Sequence, residues 1–280
     1  MKKNVIITCT NHKHGDFVIN HWFKSLKDNV DLSNIDVVVI DYGLSNNQKN
    51  KLKKEKVILF SGIKKYHIVN KRFFDSGRYL KTKKYDQVLF VDGGDIIFQE
   101  DISPVFKKDK DTFRVVPLGT EVLFFKWFIF NNFAKGVKEK IWKVVKDKIV
   151  INAGVIFASY QKFISLCELM EKLIKDKDAF GPDQIVLNYF LYQTEFKFIN
   201  NKYNFMMSTE EKGFIVKKGI FYKPNGEKIT IVHNAGIVDF FRPIKNFGYG
   251  KKFNQIKHLI YNLKKTQYKL LGAYKKIFSD

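Results

Sequence analysis

Four groups of polar residues stand at the ends or in the middle of apolar runs, where side chains that do chemistry are expected. The first is Asp92-Gly93-Gly94-Asp95, which directly follows Gln87-Val88-Leu89-Phe90-Val91. Carboxylates beyond the end of a buried strand, separated by glycines that let the backbone turn and a bulky ligand approach, suit a hard divalent cation such as Mg²⁺ or Mn²⁺ and the phosphates it holds, although in isolation Asp-Gly-Gly-Asp reads equally as a solvated turn. The second is Asn152-Ala153-Gly154 within Ile149–Ala158, which is read either as a bulge with Asn152 satisfying local backbone or as Asn152 facing substrate hydroxyls while Gly154 admits close approach. The third is Gly181-Pro182-Asp183-Gln184, where Pro182 in the first turn of a helix leaves Asp183 and Gln184 at its N-terminus, read either as facing a pocket there or as an ordinary acidic residue stabilising the helix dipole. The fourth is His233, at the end of Ile229–Val232. His12 and His14 are further candidates for a ligand or phosphate contact, although histidines in a loop are commonly just solvated.

Strands and helices must alternate to position these groups. Val5–Cys9, Ile35–Ile40, Val57–Phe60 and Gln87–Val91 read as strands. Between them, helices are expected over Phe17–Leu26 with Asp16 as cap, over Asn46–Lys54 with Ser45 as cap, and over about Val69–Lys83. Such alternation implies right-handed crossovers and a mainly parallel, Rossmann-like sheet flanked by helices, with ligands beyond the strands' carboxyl ends. Asp41, closing the second strand, then shares a rim with Asp92. Beyond residue 100 the pattern is α+β: a strand at Thr112–Val116, a helical segment from Thr120 to Lys148, a strand at Ile149–Ala158, a helix at Gln161–Asp176, and strands at Phe196–Ile199, Phe214–Val216 and Ile229–Val232.

Composition bounds the function. The 280 residues are 45% hydrophobic, ample for a core, and 50 basic against 28 acidic residues give a net charge of +22, which implies an anionic partner or surface. Two cysteines, Cys9 and Cys167, in a strand and a helix, read as buried thiols in a reducing compartment and build no metal cluster. The first apolar run is too short for a signal peptide, and the most membrane-like window, Val122–Phe133, contains Lys126 and falls short of the roughly 20 apolar residues of a spanning helix. Thr10–Gly15 has the spacing of neither a dinucleotide fingerprint nor a P-loop, which removes the main support for a hydride-transfer enzyme or an NTPase.

Val91–Phe98, Asn152–Val155, Asp183-Gln184 with Leu187-Asn188, and His233-Asn234-Ala235-Gly236 together resemble, in order and approximate spacing, the GT-A glycosyltransferases of family 8, the glycogenin and lipopolysaccharide galactosyltransferase type. The resemblance spans roughly residues 4 to 243 and implies a hexosyltransferase that moves a sugar from a nucleotide sugar, a UDP-sugar, to a glycan or lipid-linked acceptor with retention at the anomeric carbon. Implied metal ligands are Asp92, Asp95 and His233, holding Mn²⁺ or Mg²⁺. Implied donor contacts are Thr8, Asp41, Arg72, Asp92, Gly154 and Gly236, and Asp183, Gln184 and Asn152 are the implied catalytic group. The chain departs from the pattern in having two residues between the aspartates and in lacking the family's Lys-Pro-Trp, for which Arg242 in Arg242-Pro243-Ile244 could substitute at the diphosphate. The expected division is a catalytic domain over 1–245, with a nucleotide-sugar half (about 1–110) and an acceptor half (111–245), followed by a basic tail over 246–280.

Two other classes share part of this pattern. A sugar-phosphate nucleotidyltransferase has the sheet and the metal aspartate but a Gly-rich basic signature after its first strand. A non-enzymatic basic module would bind anionic lipid or nucleic acid, although no recognised nucleic-acid motif is present, so no nucleic-acid partner is expected. Gly119–Lys148, where Phe124, Phe125, Trp127 and Phe128 precede Lys135, Lys138 and Lys140, is the candidate for acceptor contact, with core packing the alternative reading of its aromatics. Finally, Phe253, Ile256, Leu259, Ile260, Leu263, Leu270, Leu271, Tyr274, Ile277 and Phe278 recur at helical spacing opposite a lysine-rich face. Such a helix either packs on the catalytic domain or lies in a membrane's headgroup plane. The one-signed polar face favours the second, a cytoplasmic enzyme peripheral at the inner face of an anionic membrane, acting on a lipid-linked or cell-surface polysaccharide precursor.

Overall fold

The structure, a computed structural model, describes residues 2–121, 126–210, 213–236, 242–251, 262–263 and 266–267. Strand β1 (Asn4–Thr10) leads into α1 (His12–Phe17), which continues through a π-helical turn (Val18–Phe23) into α2 (Lys24–Asn29). The helix therefore begins before Asp16. Asn11 caps it, its Oδ1 accepting from the backbone amides of Lys13 at 3.1 Å and His14 at 3.3 Å. Gly15 sits inside it, where an added Cβ would lie 2.6 Å from the Gln48 amide carbon. There follow β2 (Ile35–Asp41), α3 (Asn46–Lys54), β3 (Ile58–Ser61), α4 (Ile68–Leu80), β4 (Gln87–Val91), β5 (Ile96–Phe98) and α5 (Ser103–Lys107). Ser45 caps α3 as expected, with Gln48 completing a reciprocal capping box.

The second half holds β6 (Phe113–Glu121), α6 (Lys126–Asn132), α7 (Val137–Val145), β7 (Ile149–Ser159), α8 (Tyr160–Leu173) and α9 (Pro182–Leu191). It closes with β8 (Phe196–Phe198), β9 (Phe205–Met206), β10 (Ile215–Lys217), β11 (Ile220–Tyr222) and β12 (Ile231–His233). The segment read as one helix from Thr120 is instead the end of β6 followed by α6 and α7. Gly136, at φ +83°, caps α7 in a conformation that a side chain resists, which separates the two helices.

The main sheet has the order β3-β2-β1-β4-β7-β6-β8. The first four strands are mutually parallel, β7 is antiparallel to both its neighbours, and β8 is parallel to β6. Alternate residues feed the two faces: Val5, Ile7, Val88, Phe90, Ile156 and Ala158 enter one core, and Ile6, Leu89, Val91, Val155 and Phe157 the other. A small sheet, β5-β12-β9, lies over a third core that also takes Ile244 and Phe247 from the segment after Arg242.

The break expected in Ile149–Ala158 is a displacement in pairing and does not divide the strand. Between the pairs Val115↔Ile156 and Pro117↔Ile151 the partner strand β6 advances by far fewer residues than β7, so Asn152–Val155 bulge relative to β6 while Val155 keeps its pairing with Val91 of β4. Among the described residues no helix is long and apolar enough to cross a membrane. The Phe253–Phe278 stripe lies outside the described residues apart from 262–263 and 266–267.

Candidate active site

The carboxyl ends of β1, β2 and β4 form one rim, since Thr10 pairs with Asp41 and β1 runs parallel to β4. At Asp92 the chain leaves β4, with its amide donating to the Gly154 carbonyl at 2.9 Å, and it returns as β5 after Asp95. Strand β12 pairs with β5 so that His233 stands opposite Ile96. The consequence is convergence: ligand atoms of Asp92, Asp95 and His233 all lie within 4.8 Å of one another. His233 Nε2 is 3.7 Å from Asp92 Oδ2 and 3.5 Å from Asp95 Oδ1. The extra residue between the aspartates is thus absorbed by the Gly93-Gly94 turn without separating them. At Gly93 a Cβ would meet Thr8 Oγ1 at 2.5 Å and the Cys9 carbonyl at 2.7 Å.

Burial lowers the pKa of His233 despite the opposing attraction of Asp95, so the imidazole is held neutral. Its Nδ1 lies 2.8 Å from Asn204 Oδ1. A neutral ring that donates from Nδ1 presents a lone pair at Nε2 to the two carboxylates. Asp95 Oδ1 is buried without a hydrogen-bond partner, an expensive condition for an anionic oxygen unless a cation meets it. Two carboxylates and one neutral imidazole, three lone-pair donors converging on one point, therefore fit a divalent cation of the Mn²⁺ or Mg²⁺ type.

Two arginines border this centre. Arg72, on α4, pairs through Nη1 with Asp92 and through Nη2 with Asp183 Oδ2 at 3.0 Å. Its guanidinium carbon lies 5.2 Å from the ring centroids of both Phe73 and Phe90, which hold it in place. Arg242 reaches from the other side, with Nη2 3.4 Å from Asp95 Oδ2 and Nη1 donating to the Gly94 carbonyl at 3.3 Å. It is held there by Asn234, which follows His233 and exchanges two hydrogen bonds with the Ile244 backbone, at 2.8 and 3.0 Å. His14 also belongs to this corner, its ring 3.6 Å from where a Gly94 Cβ would be; His12 is exposed.

The far wall is built by β7 and α9. Gly181, at φ +103°, turns the chain into α9, and Pro182 occupies the first turn as expected. Asp183 is buried against Arg72; burial raises its pKa and Arg72 opposes the rise. Gln184 Oε1 accepts from the Ala153 amide and from Asn152 Nδ2, each at 3.4 Å. Asn188 clamps β7 to α9 through both backbone groups of Ile151, at 2.8 and 2.9 Å. Gly154 is obligatory here: a Cβ would lie 2.5 Å from His233 Cε1, 2.7 Å from Asn152 Oδ1 and 2.9 Å from Asp92 Oδ2.

The remaining expected residues are placed differently. Thr8 is fully buried beneath Gly93. Asp41 stands at the rim, but its carboxylate closes its own turn, accepting from the amides of Gly43 at 2.8 Å and Leu44 at 2.7 Å and pairing with Lys49 at 2.9 Å. Burial alone would raise its pKa; Lys49 and the two amides outweigh burial and lower it. Gly236 is half-buried just beyond Asn234. Phe128 lies against Gly181, which brings the expected acceptor segment to the start of α9, whereas Phe124, Phe125 and the Trp127 side chain lie outside the described residues. The residue that sequence reading missed is Asn204. Its signal was a lone amide inside the apolar run Tyr203–Met207, the same kind of interruption that singled out Asn152.

No protein-family model matches the chain, nor does any curated protein. Among solved structures it is similar to the glycosyltransferase GlyE of Streptococcus pneumoniae TIGR4, at 16% identity and a TM-score of 0.54, over 100% of this chain and 64% of that one. It is also similar to the galactosyltransferase LgtC in complex with donor and acceptor sugar analogues, at 16% identity and TM-score 0.54 over 92% and 95% of the two chains. A third likeness is to the bifunctional glycosyltransferase WbbM, at 15% identity and TM-score 0.53 over 86% of this chain and 47% of that one. The chain thus spans less than two thirds of GlyE and about half of WbbM, but nearly all of LgtC. An α/β body with a mostly parallel central sheet flanked by helices, it has the GT-A fold of these glycosyltransferases.

Proposed function

We propose that the chain is a metal-dependent, retaining glycosyltransferase that moves a sugar from a UDP-sugar to a glycan or lipid-linked acceptor. The observation that carries this reading is the meeting of Asp92, Asp95 and His233 at the carboxyl-end rim of a sheet shared with glycosyltransferases. Asp92, Asp95 and His233 hold Mn²⁺ or Mg²⁺, which when bound supplies Lewis-acid neutralisation of the leaving diphosphate. Arg242 places a second positive charge beside Asp95 for the same diphosphate. Arg72 and Gly236 serve the donor from the rim, where Asp41 shapes the turn after β2; Gly154 leaves Asp92 and His233 room to meet, and Thr8 supports Gly93 from below.

On the far wall, Asn152 and Gln184 are fixed by backbone amides, which leaves the Gln184 NH₂ as the group presented to the transferred sugar. Asp183, oriented by Arg72, completes that wall. Phe128 beside Gly181 supports an acceptor path leading to this group. We place the enzyme at an anionic membrane surface through residues 253–278, which cosedimentation with anionic vesicles before and after deletion of 251–280 tests; binding unchanged by the deletion removes the anchor.

The decisive assay is UDP release from a panel of UDP-sugars with and without Mn²⁺. Mn²⁺-dependent release that Asp95→Ala abolishes is expected. Full turnover by Asp95→Ala with unchanged Mn²⁺ and UDP binding refutes the assignment, and pyrophosphate chemistry in place of UDP release transfers the chain to the nucleotidyltransferases.

A further inference from the structure

The side-chain amides behind Asp92, Asp95 and His233 form one chain, and its polarity follows from a backbone group that has only one. The Gly154 N–H donates to Asn152 Oδ1 at 2.8 Å, so that atom is an acceptor and the Asn152 amide has one orientation. The Asn204 atom 3.1 Å from the same oxygen must then be the donor Nδ2. Asn204 consequently turns Oδ1 to His233, 2.8 Å from Nδ1, which must carry the ring's proton. The lone pair is left at Nε2, the nitrogen facing Asp92 and Asp95. Asn152 Nδ2 continues the chain to Gln184 Oε1 at 3.4 Å, and the Ala153 amide holds that oxygen independently. Asn204 is 3% exposed and His233 1% exposed, so solvent does not compete for these bonds.

We propose that Asn204 is a positioning residue: it holds His233 in the Nδ1–H tautomer that aims Nε2 at the metal centre, and it ties that histidine to the Asn152–Gln184 wall. The role rests on the metal-binding reading of Asp92, Asp95 and His233. A partner behind a metal-binding imidazole contributes about 10- to 100-fold in metal affinity. Asn204 does so with a neutral carbonyl, adding no charge beside the two carboxylates. The same side chain links the metal side of the site to the wall assigned to the transferred sugar.

Two variants separate the two bonds. Asn204→Ala removes both, whereas Asn204→Asp keeps an acceptor for His233 Nδ1–H but loses the donor to Asn152. The full-length protein is labelled with ¹⁵N-histidine and its tautomers are read at neutral pH, with His233→Gln identifying the His233 signals; Mn²⁺ affinity is measured by electron paramagnetic resonance. Wild type and Asn204→Asp are expected to show Nδ1–H at His233. Asn204→Ala should lose it, or populate Nε2–H, with Mn²⁺ affinity lower by about 10- to 100-fold. In Asn204→Asp the Gly154 amide proton should shift, because the new carboxylate faces Asn152 Oδ1, the acceptor of that N–H, in place of a donor.

An unchanged His233 tautomer in Asn204→Ala overturns the proposal. Should that variant fail to fold, an unchanged Gly154 amide in Asn204→Asp overturns it instead. The metal reading is judged separately by Asp95→Ala: if wild type and Asp95→Ala bind Mn²⁺ alike while the tautomer still follows Asn204, the metal site is wrong and the positioning stands.

Discussion

Gly154→Ala adds one methyl group at the most crowded point of the site. Gly154 is not among the residues with positive φ, so its backbone accepts alanine and the effect is confined to what the new methyl touches. The methyl carbon would start 2.5 Å from His233 Cε1 and 2.9 Å from Asp92 Oδ2. Carbon–carbon contacts are comfortable from about 3.5 Å, so the imidazole must retreat by roughly 1 Å, away from the carboxylates it faces. Overpacking of this size costs about 1–3 kcal/mol of stability, a Tm lower by roughly 2–10 °C in a domain of this class. A displacement of about 1 Å in a positioned group costs on the order of 10²-fold in function, and a similar loss of Mn²⁺ affinity is expected.

The control is Gly77→Ala, whose methyl would meet Cys167 Cβ at 2.9 Å where α4 packs on α8. Helix propensity returns about 1 kcal/mol there, and Mn²⁺ affinity should stay at the wild-type value. Isothermal calorimetry with Mn²⁺ and thermal unfolding are run on all three proteins. Wild-type Mn²⁺ affinity and wild-type turnover in Gly154→Ala would refute the placement of His233 and Asp92 around this glycine, whatever its Tm.

Asp95→Asn should leave the metal-free protein folded but remove its stabilisation by Mn²⁺, which in wild type reaches about 2.7 kcal/mol at a hundredfold excess over Kd; a retained Mn²⁺-dependent rise in Tm contradicts the ligand assignment. Arg72→Ala leaves Asp183 and Asp92 without their shared cation and should cost about 3–5 kcal/mol in denaturant unfolding, with the Arg72→Ala, Asp183→Asn double variant losing less than the sum; a loss below about 0.5 kcal/mol would show that the bridge is not formed. His21, against Phe17 at 5.3 Å and beneath Gly248, has its pKa lowered by burial and then by Lys251, against a hydrogen bond that the ring donates to the Tyr249 backbone and that raises it. The unfolded chain therefore takes up this proton more readily, so stability is complete above about pH 6.5 and falls as pH drops below it. Replacement by glutamine should flatten the dependence of unfolding free energy between about pH 7 and 5, and an unchanged slope would assign the acid sensitivity elsewhere.

Local chemistry made part of this protein legible from its amino acids alone. The Gln87–Val91 run had to be a strand buried on both faces, because its alternate residues feed two cores, and Asp92 and Asp95 had to lie just beyond it. Ser45 with Gln48, and Pro182 with Asp183, are capping signals whose partners stand within a few residues, so helix starts were readable at α3 and α9. Reading failed where a local signal had a closer rival: Asn11 outcompeted Asp16 as cap, and Gly136 at positive φ divided a stretch whose composition is helical throughout. What only the tertiary structure decided is who meets whom. Arg72 joins Asp92 to an Asp183 that is 111 residues away in sequence, and Asn204 reaches His233 across 29 residues and Asn152 across 52. These pairings depend on the antiparallel insertion of β7 beside β4 and of β12 beside β5. No periodicity or cap encodes that choice, since an arginine or asparagine in a buried segment announces only that it needs a partner and the packing of distant strands determines which one it finds.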